Sequence, residues 1–322
     1  STRSRPARRE GTDVQLALAL DARRDDGLMF AQQLGVTDVL ATVNPGPDGR
    51  RWDAALLAGV RHRVESAGLV FAGLEGLWPH EDIVLGRPAR DEEIEKLCGF
   101  IRDAGAGGIP LIAYRWGLDP AGTERADVAL GTERREWPGS LTDEQMWDNL
   151  DRFVSRLVPV AADAGVRMAC HPDNAAADSR SRTAPILNSA AALTRLLDTA
   201  PSPFHGLDFC HGCVDSMSGV DLLEAIRLFG GRQKIFTARL GNPGGRGREE
   251  GHAPFPDDGD MEMVRALQAY MEVGFDGPLL PCRSPGVAGD TAWGHKGHAY
   301  STGYLRAMLQ ALDRTDSIGD RA

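Results

Sequence analysis

A histidine placed directly after a short apolar run is where this sequence first offers chemistry. Val166 to Cys170 is small or apolar apart from Arg167 and reads as a buried strand; His171-Pro172-Asp173 follows at once. An imidazole there can ligate a metal or carry a proton near neutral pH. A lone histidine more often hydrogen-bonds within a loop, but other reactive side chains follow other apolar runs. Tyr114 and Arg115 follow Ile109 to Ala113, and Cys210 follows Gly206 to Phe209. Arg239 follows Lys234 to Ala238, and Cys282 and Arg283 follow Gly277 to Leu280. Thiolate and imidazole are ligands for transition metals. Guanidinium groups grip a carboxylate or phosphate through paired hydrogen bonds, and they stay protonated, so neither Arg239 nor Arg283 can serve as an ordinary base. The plainer reading keeps Cys210 and Cys282 as small buried side chains and pairs an arginine with Asp208, Glu75 or Asp173.

Four further groups could reach a ligand. His80 lies in the loop after the third apolar run, where a capping or surface role is an equal alternative. His295, Lys296 and His298 stand near the last helix, and any of them is a candidate proton carrier if it is not simply on the surface. Cys210-His211-Gly212-Cys213 has C-x-x-C spacing, but no second pair accompanies it, so the spacing alone does not make a structural zinc site. Gly241 to Gly247 is glycine-rich without the Gly-Lys-Ser/Thr ending of a phosphate-binding loop.

The elements that must position these residues alternate along the whole chain. Strands are predicted at Val14–Leu20, Asp38–Val43, Leu69–Gly73, Ile109–Ala113, Val166–Cys170, Gly206–Phe209, Lys234–Ala238 and Gly277–Leu280. Amphipathic helical stretches lie between them, most ending at a glycine such as Gly35, Gly68, Gly165 or Gly274. Eight strand–helix units without a linker predict an α/β protein, a single (β/α)8 barrel over residues 13–314, with its chemistry at the C-terminal strand ends. Residues 117–141 read as an insert or lid, 241–259 as a mobile loop, 1–12 as a disordered basic arm and 315–322 as a tail.

Bulk properties exclude several classes. The chain has 322 residues, 42% of them hydrophobic, and a formal net charge of −10. That charge argues against a nucleic-acid or membrane-surface partner, and no apolar run approaches the ~20 residues of a membrane span. Five cysteines without an even framework imply a reducing, cytoplasmic setting.

The motifs resemble the mannonate dehydratase family, a branch of the xylose-isomerase-like metal barrels, over about Leu18 to Leu312. The resemblance rests on Pro79-His80-Glu81-Asp82-Ile83-Val84-Leu85-Gly86 with Arg90-Asp91, on Gly108-Ile109-Pro110 and on Trp147-Asp148-Asn149-Leu150. It continues through Gly165 to Asp173, Gly259 to Met263 and Val273 to Pro278. It implies a lyase of carbohydrate metabolism that removes water from D-mannonate with Mn2+ or Fe2+ bound. The family's first metal histidine falls on His171 and its cysteine on Cys210. Its second histidine falls on Arg239, and its aspartate and catalytic histidine fall on Cys282 and Arg283. Its later tyrosine falls near Gly294 to Gly297, where there is none; Tyr300 is displaced. A metal set of His171, Cys210 and Cys282 favours Zn2+ by softness, and the centre could also lack a metal. The expected substrate is a small anionic sugar acid approached by His80, Tyr114, Arg115 and Arg239, with Arg283, His295, Lys296 and His298 as catalytic candidates and a homo-oligomer expected. A sugar isomerase or epimerase on the same barrel, or a non-catalytic barrel that binds a sugar acid or another anion, are the alternatives.

Overall fold

Strands form where small and branched apolar residues run without interruption, because both of their faces are covered. In a computed structural model of the chain, these are β1 (Gln15–Leu20), β2 (Asp38–Thr42), β3 (Val70–Leu77), β4 (Leu111–Arg115), β5 (Arg167–His171), β6 (His205–Cys210), β7 (Ile235–Leu240) and β8 (Pro278–Pro281). The structure describes residues 15–42, 52–118, 141–174, 185–242, 254–282 and 285–319, with side chains to 313. The strands pair in parallel, each with its sequence neighbour, and β8 closes on β1 to complete the barrel. The barrel interior is filled by Ala17, Leu40, Leu111, Ala113, Ala169, Phe236 and Leu280. The opposite strand faces pack under the helices, where Leu18, Tyr114, Cys170 and Phe209 join the large outer cluster. The eight-stranded barrel expected from the sequence is therefore the fold.

The helices are α1 (Asp25–Gln33), α2 (Ala54–Ser66), α3 (Glu81–Val84), α4 (Arg90–Ala106), α5 (Asp143–Ala164), α6 (Ala190–Thr199), α7 (His211–Asp215), α8 (Leu222–Gly231), α9 (Met263–Glu272) and α10 (His295–Gly319). Helix α5, which leads into β5, shows how local chemistry sets an element. Thr142 and Gln145 form a reciprocal capping box at its start, and Gly165 ends it at φ 70°. Phe153, Leu150 and Leu157 bury its inner face.

Among the elements that differ from the sequence reading, three bear on the site. β3 runs on to Leu77, so Glu75 lies within the strand. α7 is a short helix directly behind Cys210. α10 begins at His295, not Tyr300, because the Asp290 carboxylate accepts from the N–H groups of Lys296 and Gly297 and so caps its first turn. The arm at 1–12 and the tail at 320–322 lie outside the described residues, as do 119–140 of the insert and 243–253 of the glycine-rich loop. The described end of that loop is pinned: the Asn242 amide donates to the Pro256 and Met261 carbonyls and accepts from Met261 N–H. Among the described residues no helix is long and apolar enough to cross a membrane.

Three buried histidines make the fold acid-sensitive. Burial pushes His205, His211 and His298 down to about 4 from the usual 6.5. Between these values the unfolded chain binds protons that the folded chain refuses, so stability falls as pH drops through that window. Burial raises Asp173 to about 6. That shift acts in the opposite sense, since stability from a raised carboxyl is lost as pH rises toward 6, but it is one group against three. The melting temperature is expected to fall steadily between pH 6.5 and pH 4.5; a flat or rising profile in differential scanning calorimetry would contradict this.

Candidate active site

The C-terminal strand ends surround a cavity of about 140 Å3 whose polar lining comes from Glu75, Arg115, His171, Asp208 and Arg239. The strand register sets these groups level with one another. Arg115 is the Cα partner of His171 across β4 and β5, and Cys210 is the partner of Arg239 across β6 and β7. Side chains alternate along a strand, so Arg115 and His171 point to the mouth while Tyr114 and Cys170 point to the helices.

His171 is buried, and its Nδ1 lies 2.8 Å from Asp208 Oδ2. Asp208 also accepts from the Thr237 hydroxyl at 2.5 Å and from Arg239 Nε at 2.8 and 2.9 Å. Burial would raise the Asp208 carboxyl, but the Arg239 charge and the hydrogen bonds from His171 and Thr237 outweigh it and hold the group well below the carboxylate range. With Nδ1 anchored on a carboxylate, His171 turns Nε2 toward the thiols, an orientation common among metal-binding histidines.

Two thiols lie close to that nitrogen, and a third lies against one of them. Cys213 Sγ lies 3.5 Å from His171 Nε2, and Cys210 Sγ lies 3.3 Å from Cys282 Sγ. His171, Cys210 and Cys213 form a buried group whose donor atoms all fall within 4.8 Å of one another. Hydrogen bonds from Cys213 and Cys282 hold the Cys210 thiol well below its ordinary range. Cys213, as donor to Cys210 and buried, is pushed well above it. The mutually close donors include Cys213 where the sequence suggested Cys282, and Cys282 lies against Cys210. The signal for Cys213 was its place one helical turn after a strand end, where residues three apart share a face.

Arg239 is not an open anion clamp. Its Nε is bonded to Asp208 and its Nη2 to Glu75, with 12% of the side chain exposed. Arg115 differs: it lies over the Trp78 ring at 5.8 Å and has no ion pair among the described residues. Tyr114 is among the residues lining the cavity, but its hydroxyl meets His205 Nε2 at 3.0 Å and its ring packs on Phe153 under the helices. His80 caps α3 by accepting from Asp82 N–H at 3.3 Å and is half exposed.

The three candidates near the last helix are not brought to the cavity. His295 meets the Thr291 hydroxyl at 2.5 Å and packs on Phe30, and Lys296 Nζ donates to the Ala288 carbonyl. His298 stacks on Trp293. None of the three belongs to the lining. Arg283 lies outside the described residues.

An eight-stranded parallel barrel with its reactive side chains at the C-terminal strand ends defines the class, and it is xylose-isomerase-like. Structural likeness extends to a xylose isomerase domain protein from Planctomyces limnophilus, with a TM-score of 0.63 at 15% identity over 94% of this chain and 99% of that one. A mannonate dehydratase from Streptococcus suis serotype 2 superposes with a TM-score of 0.78 at 23% identity, covering 95% of each chain. Mannonate dehydratase 2 of Halalkalibacterium halodurans is 30% identical over 87% of this chain and 92% of its own length. The sequence model of the family described as D-mannonate dehydratase (UxuA) matches residues 21–134 and 122–318. The chain belongs to the D-mannonate dehydratase family.

Proposed function

We propose that this protein is a mannonate dehydratase-like lyase that removes water from a sugar acid or similar polyhydroxy carboxylate, through a divergent active centre. The observation that supports this reading is one cavity holding Arg115, which has no ion pair among the described residues, beside a carboxylate-anchored His171 in a barrel of this family. Dehydration next to a carboxylate requires that the carboxylate be gripped, that charge developing on it be stabilised, and that a proton be moved. Arg115 grips the carboxylate. A divalent metal held by His171 and Cys210 would supply Lewis-acid stabilisation when bound. Arg239, fixed between Glu75 and Asp208, keeps those two carboxylates in place rather than binding substrate. Glu75 is the lining carboxylate that is not bonded to His171, and it takes the role of proton carrier.

The test is a colorimetric assay for 2-keto-3-deoxy acids with a panel of aldonates, on protein whose metal content is measured. Turnover of at least one aldonate is expected. Glu75→Gln keeps the shape of the side chain and is expected to lower turnover by about 10^2 to 10^4-fold while acid binding persists. No turnover of any aldonate by metal-loaded protein would remove the lyase reading in favour of a binding barrel.

A further inference from the structure

We infer that His171, Cys210 and Cys213 form a binding site for a thiophilic divalent ion, Zn2+ rather than the Mn2+ or Fe2+ implied by the family resemblance, with Cys213 supplied by helix α7 and not by a strand. Four features of the molecule lead there.

The first is spacing. Bond lengths of about 2.3 Å for zinc–sulfur and about 2.05 Å for zinc–nitrogen put tetrahedral ligand atoms about 3.5 Å apart for N···S and about 3.8 Å for S···S. His171 Nε2 and Cys213 Sγ are 3.5 Å apart, and the three donors are mutually within 4.8 Å. Side-chain adjustments of well under an ångström for that N···S edge, and of about an ångström at most for the others, would complete the site.

The second is donor chemistry. A hard ion such as Mn2+ selects carboxylate and carbonyl oxygen, whereas thiolates select zinc and softer ions. Both carboxylates that line the cavity are already committed. Asp208 Oδ1 accepts from Thr237 and Arg239, and Oδ2 from His171 and Arg239. Glu75 Oε2 accepts from Arg239. What faces Nε2 is sulfur.

The third concerns charge. Arg239 neighbours Cys210 across the strands, and an unmatched guanidinium there would repel a cation. Asp208 and Glu75 offset Arg239 and the Arg115 charge that also lines the cavity, so no net positive charge opposes a cation there.

The fourth is local design. Cys210 is the last residue of β6 and the cap residue of α7, and one turn returns Cys213 to the same side. Gly241 has no Cβ, and a Cβ there would stand 2.8 Å from Cys282 Cβ, so glycine lets Cys282 lie against Cys210. Cys282 falls outside the mutually close trio, which leaves three protein ligands among the described residues, the number that catalytic zinc sites use.

The site shares His171 and Cys210 with the proposed reaction, but its test does not depend on turnover. Full-length protein is stripped with chelator, reloaded with Zn2+, Mn2+ or Co2+ alone, and assayed for bound metal, melting temperature and, with Co2+, sulfur-to-metal charge-transfer absorption. Zn2+ is expected to bind one per chain, to raise the melting temperature, and to resist competition by a hundredfold excess of Mn2+. Cys213→Ser is expected to lose about half of the charge-transfer intensity, since two thiolate ligands become one. Cys282→Ser and the remote control Cys98→Ser are expected to retain it. Should Cys213→Ser fail to fold, the metal competition on the unaltered protein decides alone. Preference for Mn2+, no binding of either ion, unchanged absorption in Cys213→Ser, or equal loss in Cys282→Ser would each overturn the site. Zinc bound without turnover of any aldonate would retire the lyase reading and keep the site; turnover with Mn2+ in place would do the reverse.

Discussion

Arg239→Leu is expected to destabilise the fold by about 3 to 5 kcal/mol, more than any other single change at the barrel mouth. The magnitude comes from what is left behind. Arg239 is a buried cation between two carboxylates, one of them, Asp208, 2% exposed. Removing it leaves Asp208 and Glu75 facing each other without compensation, in a place where water reaches neither freely. Leucine matches much of the volume, so the cost is electrostatic and not a cavity. A double-mutant cycle separates the two: with Glu75→Gln already present, Arg239→Leu costs less, because only Asp208 loses its partner. Equilibrium unfolding in urea gives both values. If Arg239 were an open substrate clamp, its removal would leave stability within about 0.5 kcal/mol and fall wholly on binding, and that result would refute the network described here.

The fate of Arg239 illustrates which parts of the molecule the sequence could disclose. The barrel was legible because each strand is apolar on both faces and each helix is amphipathic, and because glycines such as Gly165 and Gly274 mark where helices stop. Their places directly after apolar runs put Arg115, His171, Cys210 and Arg239 at the C-terminal strand ends, without separating Arg115 from Tyr114, which points the other way. Whether Arg239 would face a ligand or a carboxylate depended on how far β3 extends. That extension, through Gly73 and Gly76 to Leu77, places Glu75 164 residues away in sequence but within reach of the guanidinium. A pair so distant carries no local signal.

Cys213 was obscured for a different reason. Five residues directly after a strand are too few to show the periodicity of a helix, so α7 could not be read, and without α7 the second cysteine of the C-x-x-C had no direction. The start of α10 was hidden by its cap. Asp290 stands five residues ahead of His295 and reaches the N–H groups of Lys296 and Gly297, so a stretch that looked like loop is ordered as the first turn of a helix. The histidines there were candidate proton carriers with a surface position as the alternative; they pack against Trp293 and Phe30.

Arg115→Ala is expected to weaken binding of an aldonate by about a hundredfold, equivalent to about 2.7 kcal/mol, and to do so through the carboxylate alone. The figure is what two charge-assisted hydrogen bonds contribute when a planar guanidinium meets a carboxylate in a partly dry cavity. Arg115 is suited to this because no ion pair among the described residues claims it. Asp173 feels its charge but takes hydrogen bonds from the Leu187 N–H instead. Trp78 supports the guanidinium plane from one side, which limits the order lost on binding. Lysine keeps the charge but not the fork, so Arg115→Lys is expected to recover part of the loss and not all of it. The control is the matching neutral polyol, whose affinity should be the same for both variants and the unaltered protein. Calorimetric titration of acid and polyol side by side distinguishes a carboxylate clamp from a general disturbance of the mouth. Equal weakening of both ligands, or none of either, would assign Arg115 to the scaffold and leave the anion-binding part of the proposed function without a residue to perform it.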